Sequence, residues 1–171
     1  MSGPNRIRLK RLIREAEGYL ELGMARHALD VLSRVREPGT FKAQTLYLTG
    51  EALRTTGRFE EAIPLFLRAA ELAPSHIPVR VALGWCLKRT GRLDLAIQAL
   101  EQARDIDSGD SLVQYNLACY WSLAGNCRRS IDHLRRAIAI NARFRDLVGK
   151  ESDFDPIRDN PEFQALATVI V

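Results

Sequence analysis

Small and apolar side chains return along this chain at a constant interval of 34 residues, marked by Gly23, Gly57, Gly91 and Gly125. Five residues after each glycine stands a small residue, Ala28, Ala62, Ala96 or Ser130, followed by Leu29, Ile63, Ile97 or Ile131. Four beyond the small position come Leu32, Phe66, Leu100 and Leu134, and three further on Val35, Ala69, Ala103 and Ala137. Steps of three and four place all of these on one face of a helix. A second periodic stretch precedes each glycine, with Ala16, Gly50, Gly84 and Ala118 seven residues upstream and Tyr19, Leu53, Leu87 and Trp121 four upstream. Each period therefore predicts a hairpin of two helices. The glycine supplies the backbone conformation that ends the first helix, and the small residues let the two helices approach closely. Helices are expected at about 6–22, 25–36, 41–56, 59–72, 76–90, 93–106, 110–124 and 127–140.

A hairpin of this size cannot bury its own apolar face, so neighbouring units must stack and share a core. The pattern resembles the tetratricopeptide repeat family, whose signature runs W-x2-L-G-x2-Y, then A-x3-F, then P. The second unit carries Gly50, Gly57, Ala62, Phe66 and Pro74 in register, the third Leu83, Gly84, Ala96 and Leu100, and the fourth Leu117, Ala118, Ser130 and Leu134. The initial Trp is replaced by Leu12, Leu46, Arg80 and Gln114, and the first unit has Glu15-Ala16 for Leu-Gly and an early Pro38. The resemblance implies an all-α, right-handed α-solenoid, read here as one domain over 1–171 with repeats at about 9–42, 43–76, 77–110 and 111–144 and a cap over 145–171.

Beyond Asn141 the repeat stops. Asp155-Pro156 and Asn160-Pro161 each pair a capping residue with proline, which predicts two short helical pieces. The segment resembles the Asp-Phe-Asp-Pro ending that follows many bacterial tetratricopeptide arrays. Phe154, Ile157, Phe163 and Leu166 are expected to cover the apolar side of the last repeat.

Composition narrows the functional classes. Hydrophobic residues make up 46% and charged residues 27% of the chain, a globular balance. The uncharged stretch 111–127 contains Gln114, Asn116, Ser122, Gly125 and Asn126, too polar and too short for a membrane span. No uninterrupted apolar run of the secretory type follows the alternating Arg6, Arg8, Lys10 and Arg11, so a cytoplasmic location is expected. Cys86, Cys119 and Cys127 are odd in number and lack metal-ligand spacing, which points to buried reduced thiols. No phosphate-binding glycine loop, Gly-x-Ser-x-Gly or His-Glu-x-x-His occurs. No catalytic residue, metal or cofactor is expected.

In the family that the repeats resemble, the ligand meets the first helix of each hairpin on the face turned from the second. Ten residues before the glycines stand Ile13, Tyr47, Val81 and Tyr115; six before stand Glu17, Glu51, Trp85 and Cys119; thirteen before stand Lys10, Gln44, Pro78 and Leu112. The candidate binding residues are Trp85, Tyr115, Tyr47, Val81, Leu112, Cys119 and Glu51, with the three aromatic rings as anchors for a protein or peptide segment. The same rings could instead pack between helices or beneath the tail, and that alternative stays open. Tyr19 and Trp121 are assigned to the core. The expected function is a non-catalytic adaptor, with a secretion-type chaperone or a self-assembling scaffold as alternatives. A carboxylate clamp for chaperone tails is disfavoured, since its positions hold Ile13, Glu17, Leu48, Pro78 and Ala82, or Tyr47, Glu51, Ala82, Leu112 and Asn116, without the needed cations. Basic residues gather at Arg6, Arg8, Lys10, Arg11 and Arg14 and again from Arg128 to Arg145; at a net charge of +4, a solvated outer face is favoured over nucleic-acid binding.

Overall fold

The computed structural model describes residues 3–167. Eight helices follow the predicted order: α1 Gly3–Glu21, α2 Ala25–Leu32, α3 Lys42–Thr55, α4 Phe59–Leu72, α5 Ile77–Arg89, α6 Leu93–Ile106, α7 Ser111–Leu123 and α8 Cys127–Ile140. Two shorter helices, α9 Phe144–Val148 and α10 Pro161–Ala167, complete the order, with 3-10 segments at Gly39–Phe41 and Ser152–Ile157. The fold is all-α, and the described residues contain no strand. Where the repeat register reads as one domain, the contacts group the chain into two compact units, 1–90 and 91–171, divided at the turn glycine of the third period.

The turn glycines close the helices as their spacing requires. Gly23, Gly57, Gly91 and Gly125 have φ of 72°, 79°, 78° and 73°, a region costly for a residue with a Cβ. Around Gly57 the amide of Gly57 donates to Arg54 O at 3.1 Å and that of Arg58 to Leu53 O at 2.9 Å. This paired arrangement satisfies the last carbonyls of α3 while reversing the chain. Helix α2 ends at Leu32, earlier than expected, because Arg34 and Val35 donate to carbonyls only three residues back and the Ser33 hydroxyl donates to Asp30 O.

In unit 1, α1 to α5 pack in sequence, and α1, α2 and α3 share a core of Leu9, Leu12, Ile13, Ala16, Ala28, Val31, Leu48 and Ala52, all buried. Gly50 lies so close to Phe66 that an added Cβ would meet the ring at 2.6 Å. In unit 2, α7 pairs with α8 and also packs against α6 and the 3-10 segment Ser152–Ile157. Ser130, standing where other repeats have Ala, is fully buried and donates to Ala118 O at 2.7 Å. Gln114, in the place of the family's Trp, accepts from His133 at 2.7 Å and donates to Ser108 O at 2.8 Å, so a polar pair fills the space of a ring.

The tail takes up three pieces rather than two. Asn160 caps α10 as expected, accepting from the amides of Glu162 and Phe163 at 2.9 and 3.2 Å. Asp155-Pro156 does not start a helix: it lies inside the 3-10 segment, which Glu151 caps, and Asp155 pairs with Arg158 instead.

Candidate functional site

The first helices of unit 1 carry the open part of the expected binding face. Tyr47 and Glu51 stand one turn apart on α3, and Val81 and Trp85 one turn apart on α5; all four are half-buried. Such pairs share a face because residues four apart lie above one another. Arg54 ties the two helices together. Its guanidinium grips Glu51 in a two-pronged ion pair, Nε at 2.9 Å and Nη2 at 2.8 Å, while its Cζ lies 5.2 Å from the centre of the Trp85 ring.

Trp85 is held from other sides as well. Phe59, the first residue of α4, meets it edge-on at 5.2 Å. The Arg89 guanidinium lies 5.6 Å from the centres of both rings. Cation–π contacts of this kind are worth roughly 0.5–1 kcal/mol each when exposed. The indole is thus fixed in orientation yet still reached by solvent. Neither Arg54, Phe59 nor Arg89 falls in the inner-face register, so counting from the glycines could not find them; an aromatic at the start of α4 was the available signal.

Beside this group lies a pocket of about 340 Å³ lined by Glu17, Thr40, Ala43, Gln44, Tyr47 and His76, among others. Tyr47 meets His76 edge-on at 5.1 Å and Phe66 at 6.2 Å. Burial, and after it the Glu51 carboxylate, push the Tyr47 hydroxyl above its ordinary pKa, so it stays a neutral donor. Gln44 donates to Glu17 at 2.7 Å, fixing a carboxylate on the pocket wall. Behind the face, burial pushes the Cys86 thiol up to about 11, which keeps it protonated and unreactive at neutral pH.

Unit 2 corrects two of the expected binding residues. Tyr115 is 6% exposed and Cys119 2%. Phe144 of α9 stacks on Tyr115 at 4.5 Å and Phe154 meets it edge-on at 5.8 Å. The tail therefore covers Tyr115 on the α7 face that the repeat register assigns to binding, and Cys119, one turn further on, is buried as well. Phe154, Ile157 and Phe163 are buried with them. Leu112 alone of the α7 candidates remains open, at 48% exposure. Tyr19 and Trp121, expected in the core, are half-buried, with His27 stacked on the first and Arg129 over the second; Tyr120 is the buried ring.

No helix among the described residues is long and apolar enough to cross a membrane. All three cysteines are free thiols, Cys86 and Cys119 buried and Cys127 half-buried.

Comparison with known proteins bears on this geometry. Two sequence models described as tetratricopeptide repeat match residues 13–77 and 53–118, together 106 of the 171 residues. General transcription factor 3C polypeptide 3 of Homo sapiens is 29% identical over 94 residues, which cover 54% of this chain but only 11% of that protein. Among solved structures, YrrB, described as a TPR protein with an unusual peptide-binding site, superposes with a TM-score of 0.67 at 24% identity, over 74% of this chain and 66% of YrrB. MamA from Desulfovibrio magneticus RS-1, residues 41 to the end, gives a TM-score of 0.72 at 18% identity over 93% of both chains. At such identities the structural likenesses establish the fold, an α-solenoid of helical hairpins. With the glycine-marked hairpins and the matches across 13–118 taken together, the chain belongs to the tetratricopeptide repeat proteins.

Proposed function

We propose that this chain is a non-catalytic adaptor that holds a segment of another protein against the α3–α5 face of unit 1, with Trp85 and Tyr47 as anchors and Val81 and Glu51 beside them. The observation that carries the reading is Trp85. A large ring kept half-exposed and oriented by Phe59, Arg54 and Arg89 is pre-organised for contact, so little side-chain entropy is lost when a partner covers it. YrrB's described peptide-binding site supports the same use of this fold here. Three free thiols fit a reducing compartment, and we place the protein in the cytoplasm.

The test compares partner capture by the parent chain and by Trp85→Ala, with melting followed by circular dichroism. Capture should fall about tenfold or more, the loss typical of an anchor residue. Because Trp85 also packs on Phe59, Val81→Lys serves as a second variant that leaves the indole in place and should weaken capture too. Equal recovery of partner by the parent and both variants, each still folded, would sink the proposal.

A further inference from the structure

The sequence places a run of arginines near the start of α1 that the adaptor reading leaves without a role. In the fold, Arg8 of α1 is brought beside Arg34 and Arg36, which follow α2, around a cleft of about 430 Å³ also lined by Asn5, Leu9, Leu12, Val35 and Glu37. None of the three guanidinium groups has an ion-pair or hydrogen-bond partner among the described residues. Exposed Arg26 and Arg143 also lack an ion-pair partner among the described residues, so what sets the cleft apart is that three guanidinium groups gather around it. Three like charges around one cleft repel one another, and an incoming anion relieves that repulsion.

The rest of the lining selects among anions. Leu9 and Leu12 are buried and Val35 half-buried, which gives the cleft an aliphatic wall. Among the described residues no aromatic ring lines it, so bases find no ring to stack on there, as single-stranded nucleic acid requires. Glu37 also lines the cleft. A short peptide with an apolar side chain between carboxylates meets each of these features. The apolar group lies on the aliphatic wall, and the carboxylates take the planar fork that guanidinium offers.

We infer that the cleft between α1 and the end of α2 is a second binding site, separate from the α3–α5 face, that takes an acidic segment of a protein with an apolar residue at its centre. The site is tested on the full chain with a fluorescein-labelled Glu-Asp-Leu-Asp-Glu peptide, read by anisotropy at low ionic strength. The peptide should bind, and binding should weaken as salt is added. Arg34→Gln with Arg36→Gln should lower the affinity roughly fivefold to tenfold, the sum of two exposed ion pairs. Replacing the peptide's acids by Gln and Asn should lower it to a similar extent. Trp85→Ala should leave it unchanged, which separates this site from the adaptor face. Three results would overturn the inference: equal affinity for the parent and the double variant, a loss on Trp85→Ala, or arginine-dependent binding of a single-stranded oligonucleotide tighter than that of the peptide.

Discussion

His133 shows what one departure from the repeat pattern does. It is 7% exposed and hydrogen-bonded to Gln114. Burial first, and then Arg136 and Arg104, lower its pKa from 6.5 to about 4. The fold therefore holds the ring neutral, and the unfolded chain binds the extra proton. Stability from this group is complete above about pH 6.5 and is lost as pH falls towards 4, amounting to about 2 kcal/mol at pH 5. Urea unfolding at pH 7 and pH 5 should show that difference, and His133→Gln, which keeps a hydrogen-bonding group but does not titrate, should remove most of it. An unchanged pH profile in the variant would refute the assignment. The same scale explains why Tyr115 misled the sequence reading. Tyr47 and Tyr115 hold the same register position, yet one is half-buried and the other is covered by Phe144 and Phe154. Register gives the direction in which a side chain leaves its helix, not what meets it there.

Between elements, the pairing of α3 with α4 depends on Gly50. Glycine in a helix interior costs about 1 kcal/mol relative to alanine, so Gly50→Ala would stabilise α3 taken alone. In the fold the new methyl would lie 2.6 Å from Phe66 Cε1, against a ring with no exposure. Overpacking of this kind costs about 1–3 kcal/mol, and the variant should be less stable than the parent by denaturant titration. Adding Phe66→Leu to Gly50→Ala should recover part of the loss, whereas additive losses would exclude the contact as the cause. Helix limits were legible to within a residue or two wherever a turn glycine fixes the end. They were not legible at α2, whose last turn unwinds through local hydrogen bonds before Pro38 and Gly39.

For the molecule as a whole, the non-repeating tail decides how much binding face is left. Phe154 has no exposure and joins Tyr115 to Phe163, with ring centres 5.8 and 5.2 Å away. Truncating such a ring costs about 3–5 kcal/mol. Phe154→Ala should therefore lower the urea midpoint sharply and admit solvent to Tyr115, seen as faster hydrogen exchange in α7. Unchanged protection of α7 would mean that the tail is not what seals it. The sequence alone settled the period, the hairpins and the all-α class. Those follow from spacing along a helix and from a small-to-large fit between adjacent helices, and both are local enough to be written into each 34-residue unit. Tertiary structure alone settled which inner-face residues stay open, which arginines gather unpaired around a cleft and which aromatic residue Arg54 and Arg89 hold in place. Each of these depends on segments far apart in the chain, or outside the repeat, meeting at one point, and a periodic pattern carries no record of such meetings.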